Sequence, residues 1–346
     1  CFVMFSIPTG RRRGVVDREV VLSVRDLEVT FRTGEGPLRA VRGVSFELHR
    51  GECLGIVGES GSGKSVCATS AIGLLDRTSV SGGDIEVHGR NLQEMSEEER
   101  RAIRGTQISM IFQEPSRSFD PIYNIGRTFE ETIRVKNPHA GREECRALAV
   151  RLLSEAHIPR AEERLRNFPH QFSGGMLQRI MIALALANDP DILIADEPTT
   201  ALDVTIQAQI VGLLKELQLK RRLSLIFISH DLRLVSQVAD RMMVMYAGVA
   251  VELAGTAVIL SRPRSPYTRA LLNAVPGWGR HYSDGGLRTI PGGVPDPVHP
   301  EPGCPFAPRC SLVRDECREG VPPLVEVVEE TGPGGLYRCV VPGVKE

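Results

Sequence analysis

Apolar residues change their spacing three times along the chain. Over residues 20–110 they come in short runs separated by turn residues, which predicts strands followed by one strand–loop–helix unit. The run Cys53-Leu54-Gly55-Ile56-Val57 is apolar throughout, as a strand buried on both faces requires. From residue 114 to about 172 the alternation disappears and helices are expected. Glu143 to Ala156 carries apolar residues at helical spacing, while Asn137-Pro138 and Ile158-Pro159 interrupt the pattern. From about residue 189 strands and helices alternate again: a strand within Asp191 to Pro198, a helix from Ile206 to Leu219, a strand from Leu225 to Ser229 and an edge strand from Arg241 to Tyr246. Alternation of this kind predicts an α/β fold with a parallel sheet. After about Gly279 the composition turns to Pro and Gly, and Pro291 to Pro308 can be neither regular helix nor central strand. The chain therefore divides into a tail (1–19), an α/β unit (20–278) with a helical insertion at about 114–188, and a small irregular Cys/Pro-rich extension (279–346) packed separately.

Composition narrows the class. With 346 residues, 25% charged, 42% hydrophobic and a formal net charge of −1, the chain is ordinary for a globular protein. Near-neutral charge argues against nucleic acid as a main partner, since duplex binding calls for a basic surplus. No apolar run approaches the ~18 residues that span a bilayer, so work at a membrane would go through a partner. The apolar start is followed by Arg11-Arg12-Arg13, the reverse of a signal peptide.

The chemistry concentrates in three places. Gly58-Glu59-Ser60-Gly61-Ser62-Gly63-Lys64-Ser65 follows the first buried strand. Small residues let successive backbone N–H groups curl around phosphate oxygens, and a helix opening near Lys64 adds its positive end. Lys64 would neutralise β- and γ-phosphates, and the Ser65 hydroxyl would ligate Mg²⁺. Asp191-Ile192-Leu193-Ile194-Ala195-Asp196-Glu197-Pro198 is a strand ending in two carboxylates. Acids fit a buried parallel strand only at its carboxyl edge, where ligands bind. There Asp196 would hold Mg²⁺ and Glu197 would orient or deprotonate a water. Between them, Phe172-Ser173-Gly174-Gly175-Met176-Leu177-Gln178-Arg179 precedes an apolar helical run. Ser173 would cap that helix and the glycines leave its N-terminal amides open to an anion.

These residues resemble the ATP-binding cassette superfamily over nearly the whole chain from about residue 20. Ser173-Gly174-Gly175-Met176 looks like its signature motif, with Met176 where many members have Gln. Gln113 matches the Q-loop, Ala201-Leu202-Asp203 the D-loop and His230 the switch histidine, while Phe31 lies where the family stacks an aromatic ring on adenine. The resemblance implies a P-loop NTPase cassette with an antiparallel β subdomain, an inserted helical subdomain and a C-terminal extension. It implies ATP held by Phe31 and by Gly58, Glu59, Ser60, Gly61, Ser62, Gly63, Lys64, Ser65 and Val66. Mg²⁺ would bind Ser65, Gln113 and Asp196, with Glu197, His230 and Gln113 catalytic. Ser173, Gly174, Gly175 and Asp203 would serve the site of a second cassette, a paralogue or a second copy, so that ATP joins two subunits and hydrolysis separates them.

Longer stretches resemble one branch, the ATPase subunits of bacterial dipeptide and oligopeptide importers, also found with nickel importers. They are Phe119 to Gly126, Thr199 to Ile210, and Met245-Tyr246-Ala247-Gly248 with Pro266 to Leu272; Ser265 replaces the usual His. This branch implies two transmembrane permease subunits, docked through the helical subdomain and residues 114–126. It further implies an extracytoplasmic binding protein acting indirectly, and a place on the cytoplasmic face of the inner membrane. Transported peptides would not touch this chain. Cys53, Cys67 and Cys145 read as buried structural thiols. Cys304, Cys310, Cys317 and Cys339, spaced C-x₅-C-x₆-C-x₂₁-C, lack the close pairs of zinc fingers. Four thiolates can hold a [4Fe–4S] cluster, and some members of this branch carry one; zinc and metal-free thiols stay open. A soluble cassette ATPase of DNA repair or translation is the alternative from another class. Long coiled-coil insertions or two cassettes per chain, its usual marks, are missing here. A small-molecule kinase would have no use for the Ser173 motif.

Overall fold

The computed structural model describes residues 19–75, 79–274, 289–329 and 332–341. The expected tail, Glu19 apart, and the boundary near residue 279 lie outside them.

Among the described residues twelve strands form two sheets. β1 (Val20–Thr33), β2 (Gly36–His49), β4 (Ser79–Val87) and β5 (Arg90–Asn91) make an antiparallel sheet in the order β2-β1-β4-β5. The remaining strands are β3 (Cys53–Val57), β6 (Ile108–Ile111), β7 (Ile192–Asp196), β8 (Ser224–Ser229), β9 (Arg241–Tyr246), β10 (Val249–Gly255), β11 (Val325–Glu329) and β12 (Gly332–Tyr337). They form one sheet in the order β11-β12-β10-β9-β3-β8-β7-β6. Strands β9, β3, β8, β7 and β6 run parallel; β10, β12 and β11 continue antiparallel.

Alternation of side chains divides the parallel sheet between two cores. Leu54 and Ile56, Ile192 and Ile194, and Ile226 and Ile228 pack with Val21, Leu22, Val44 and Leu48 of the antiparallel sheet. Cys53 and Val57, Leu193 and Ala195, and Leu225 and Phe227 face the other way, into the helical layer. Both sides are covered, so these strands read as unbroken apolar runs.

The stretch without alternation is helical as expected. Helix Ile125–Lys136 is capped by Asn124, whose side chain accepts from the Arg127 N–H, and it buries Ile125, Phe129 and Ile133 at four-residue spacing. Helix Arg142–Glu155 buries Cys145, Ala149, Leu152 and Leu153 in the same core. Cys53, Cys67 and Cys145 are all buried.

Two expectations differ from the structure. Strand β9 is not at an edge: β3 flanks it on one side and β10 on the other, which explains why all but its first residue are buried. Nor is the C-terminal extension separately packed. Pro291 to Pro308 stays irregular up to the 3₁₀ turn Ala307–Arg309, but β12 then pairs with β10 through Glu252–Tyr337 and Leu253–Leu336. Phe306 enters the main core, with its ring centroid 5.4 Å from that of Tyr246 and 5.2 Å from that of Tyr267. Glycine makes the antiparallel pairing possible: a Cβ at Gly335 would stand 2.6 Å from the Ala254 Cβ.

Candidate nucleotide site

The carboxyl ends of β3, β7 and β8 meet at one edge of the sheet, with Val57 opposite Ser229 and Asp196 opposite Ile228. The loop from Gly58 to Gly63 leaves β3 there and enters helix Lys64–Ala71. Its backbone needs glycine at two points. Gly58 has φ 157° and a Cβ there would lie 2.2 Å from the Met245 carbonyl oxygen; Gly63 has φ 95° and a Cβ would lie 2.5 Å from that of Ala40. No side chain caps the helix at Gly63, so its first N–H groups stay open to a ligand. Lys64 folds back over the loop, its Nζ donating to the carbonyls of Gly58 (2.9 Å) and Glu59 (2.8 Å). Burial pushes its pKa down, opposed by the charges of Glu197, Asp196 and Glu59.

The carboxylates complete the cluster. The Ser65 hydroxyl donates to Asp196 Oδ1 at 3.0 Å. Asp196 is 6% exposed, and burial is the main reason its pKa is raised, with neighbouring Glu197 adding to it. Glu197 Oε2 accepts from Gln113 Nε2 (3.0 Å) and Thr200 Oγ1 (2.8 Å), and His230 Nδ1 lies 3.4 Å away. The Glu197 backbone sits at φ 44°, in the left-handed region that non-glycine residues occupy at a cost of roughly 1–3 kcal/mol. Such a conformation persists only where the surroundings enforce it, and here three side chains fix the carboxylate it presents. Sequence reasoning missed Thr200, whose only signal was its place three residues after Glu197. Phe31 stands on β1 opposite Leu38, half-buried against the antiparallel core.

This geometry joins a glycine-rich loop and its lysine to a fixed carboxylate, and comparison with known proteins shows the family. The ABC transporter family model matches residues 41–200, and that of the oligopeptide/dipeptide transporter C-terminal region matches 251–317. A peptide ABC transporter ATP-binding protein of Sinorhizobium fredii is 46% identical over 323 residues, 93% of this chain and 95% of that protein. The dipeptide transport ATP-binding protein DppD of Bacillus subtilis is 49% identical over 294 residues, 84% of this chain and 87% of that one. The chain belongs to the peptide ABC transporter ATP-binding proteins. Among solved structures, the dimeric ABC transporter cassette MJ0796 superposes with a TM-score of 0.62 at 28% identity, over 68% of this chain and 98% of that one. A second structure of that cassette, a dimeric post-hydrolysis state bound to ADP and Pi, matches equally well.

In this ABC ATPase the signature residues lie apart from the phosphate loop. Ser173 caps helix Gly174–Ala185, its hydroxyl accepting from the Met176 N–H at 3.4 Å, and it is exposed. Asp203 caps helix Val204–Arg221 by accepting from the Ile206 N–H at 3.0 Å. Ser173, Gly174, Gly175, Leu202 and Asp203 line a surface cavity of about 1080 Å³ to which none of residues 58–66 contributes. The expected site residues therefore fall into two separate groups on one chain.

The four C-terminal cysteines converge in the extension. Cys304 N–H donates to the Cys317 carbonyl (2.7 Å). Cys310, Cys317 and Cys339 sulfurs accept from the N–H groups of Leu312 (3.4 Å), Arg314 (3.5 Å) and Val341 (3.3 Å). Burial first, and then the other thiols, push Cys304, Cys310 and Cys339 upward. Among the described residues no disulfide joins any cysteine, and no three His, Cys, Asp or Glu side chains stand where one metal ion would bind. The expected cluster is therefore not a formed metal site here.

Proposed function

We propose that the chain is the ATP-hydrolysing subunit of a peptide-class importer. The observation that carries this is the contrast of half-sites: Lys64, Ser65, Asp196 and Glu197 gathered at one edge, and Ser173 exposed on another surface. Phosphates would lie on the Gly58–Gly63 amides and the free end of helix Lys64–Ala71, with Lys64 turning from the loop carbonyls to their oxygens. The Ser65 hydroxyl and Asp196 carboxylate are adjacent hard oxygen donors, a pair that suits Mg²⁺, with Gln113 completing the set; Mg²⁺ bound there would neutralise charge on the phosphate oxygens. Glu197 would align and deprotonate the attacking water, held in place by Gln113, Thr200 and His230. Ser173 and Asp203 would close on the nucleotide of a second cassette, a paralogue or a second copy.

Among the described residues no helix is long and apolar enough to cross a membrane. A pair of transmembrane permease subunits would supply the pathway, meeting the helical insertion and residues 114–126 at the cytoplasmic face of the inner membrane. There Ile122 is 77% exposed, an apolar side chain that a partner would cover. An extracytoplasmic binding protein would select the cargo, a peptide by family or nickel as the nearest alternative. Affinity-purified chain should leave the membrane fraction with hydrophobic permease subunits and hydrolyse ATP faster when they are present. ATPase activity stimulated by nucleic acid and indifferent to the permease would favour the soluble cassette reading instead.

For the cysteines, [4Fe–4S] remains the preferred occupant. Peptide N–H groups already point at three sulfurs, as anionic thiolates need, and the spacing lacks the close cysteine pairs of zinc fingers. Bound there, a cluster would staple residues 304–339 together. Anaerobically purified protein should be brown, with about four irons per chain. Colourless protein with about one zinc, or with four titratable thiols, would remove the cluster.

A further inference from the structure

Glu59 puts a carboxylate inside a loop built to receive phosphate, where a free negative charge would repel the ligand. The structure gives that charge a partner from far along the chain. Arg309, at the end of the 3₁₀ turn Ala307–Arg309, meets Glu59 with both arms of its guanidinium: Nη1 to Oε2 at 2.7 Å and Nη2 to Oε1 at 3.2 Å. Its other N–H groups are also used, Nη1 on the Tyr246 hydroxyl (3.2 Å), Nη2 on the Ile290 carbonyl (3.1 Å) and Nε on the Pro291 carbonyl (2.8 Å). All five donors of the fork are placed, and the side chain is 6% exposed. The Glu59 N–H donates to the Tyr267 hydroxyl (3.1 Å), and its carbonyl accepts from Lys64, so the residue is held from side chain and backbone together. Phe306, three residues before Arg309, wedges against Tyr246 and Tyr267.

We propose that Arg309 is a positioning residue of the nucleotide site, through which the cysteine-bearing extension holds the phosphate loop and keeps the Glu59 charge away from the phosphates. This rests on the nucleotide site proposed above. The turn that carries Arg309 runs from Cys304 to Cys310, with Ala307 N–H on the Cys304 carbonyl (2.9 Å) and Arg309 N–H on that of Phe306 (3.0 Å). Whatever fixes those two cysteines also fixes the guanidinium, and so the loop. A bidentate arginine–carboxylate pair largely withdrawn from water, with Arg309 buried and Glu59 partly so, is among the stronger polar contacts available, and Lys cannot reproduce its fork.

The test is ATP affinity, read with a fluorescent ATP analogue on the full chain, beside kcat and KM for hydrolysis. Arg309→Met should raise Kd and KM about ten-fold, or about 1.4 kcal/mol, and leave kcat at saturating ATP nearly unchanged. Adding Glu59→Gln to Arg309→Met should recover most of that loss, because it removes the charge that Arg309 no longer neutralises. Because neutralising an unpaired Glu59 could also relieve a fold defect, the melting temperature of each variant is read beside its affinity. The inference requires the affinity loss and its rescue in variants that stay folded at the assay temperature. Arg309→Lys, which restores charge without the fork, should fall between wild type and Arg309→Met. Should Arg309→Met fail to fold, Arg309→Gln keeps two donors, and the same rise with the same rescue is expected of it. ATP affinity unmoved by loss of Arg309, or no recovery with Glu59→Gln, overturns the inference. Lys64→Ala separates the two readings: if it too binds ATP normally, the nucleotide site itself is misplaced, whereas its failure to bind beside a normal Arg309 variant sinks the positioning role alone.

Discussion

The two half-sites of this chain treat their polar groups in opposite ways. At the phosphate loop every functional side chain is already engaged: Lys64 on two carbonyls, Ser65 on Asp196, Glu197 on Gln113 and Thr200. At the signature surface Ser173 is exposed and contributes one long cap bond to its own helix. The first half holds its polar groups close to one another before a ligand arrives, so binding asks only for a local exchange of partners, Lys64 leaving the loop carbonyls and Ser65 and Asp196 leaving each other. The second half is a helix N-terminus that faces solvent beside an open cavity, and in the proposed function it would acquire a ligand only when another subunit brings one. The difference points to a division of labour in which chemistry belongs to one half and control of closure to the other.

If that division is right, Glu197→Gln should give the largest effect. The amide keeps the shape and can still pair with Gln113 and Thr200, but it cannot take a proton. Turnover should fall about 10²–10⁴-fold with ATP binding intact, leaving the closed dimer trapped. Single-turnover hydrolysis within a few-fold of wild type would assign the base elsewhere. Ser173→Arg comes next, and breaks the other half. Nucleotide binding by the isolated subunit should be unaffected, while ATP-driven dimerisation seen by light scattering should be lost. The bulky side chain would enter the facing phosphate site. Lost binding in the monomer would instead place Ser173 in its own subunit's site and erase the contrast.

The residues proposed for both half-sites could be picked out in the sequence because each group is written in consecutive residues. Gly58 to Ser65 must be glycine-rich to let amides converge, Asp196-Glu197 can stand only at a strand's carboxyl end, and Ser173 announces a helix cap. Less legible was anything made by distant pairing. Glu59 and Arg309 lie 250 positions apart, and nothing local to either marks it as a partner. The same holds for β9, whose apolar run fits an edge or a centre equally until β10 is known to add beside it. The extension reads as a separate appendage because proline excludes regular structure, yet composition says nothing of where Phe306 or β12 will dock. Thr200 fell between these cases: it is close in sequence to Glu197, but its hydroxyl reaches the carboxylate only because the backbone turns through positive φ there.

The smallest expected effect tests whether the first half stores free energy. Burial raises the pKa of Asp196, so the folded state holds its proton more tightly than the unfolded chain does. At low pH, below the unfolded value, the group is protonated in both states and contributes nothing. As pH rises from there to the folded value, stability declines, and above it the full penalty of a buried carboxylate remains. Asp196→Asn removes the charge and can still accept the Ser65 hydrogen bond. Nucleotide-free protein carrying it should melt a few degrees higher than wild type at neutral pH, with the gain fading as the wild type is acidified toward the ordinary Asp range. The same variant should lose most of the thermal shift that Mg²⁺ and ATP give together, since that carboxylate is the proposed Mg²⁺ ligand. A lower melting temperature without nucleotide would mean that Lys64 and Ser65 more than offset the burial of Asp196, and that the phosphate-loop half is relaxed rather than primed.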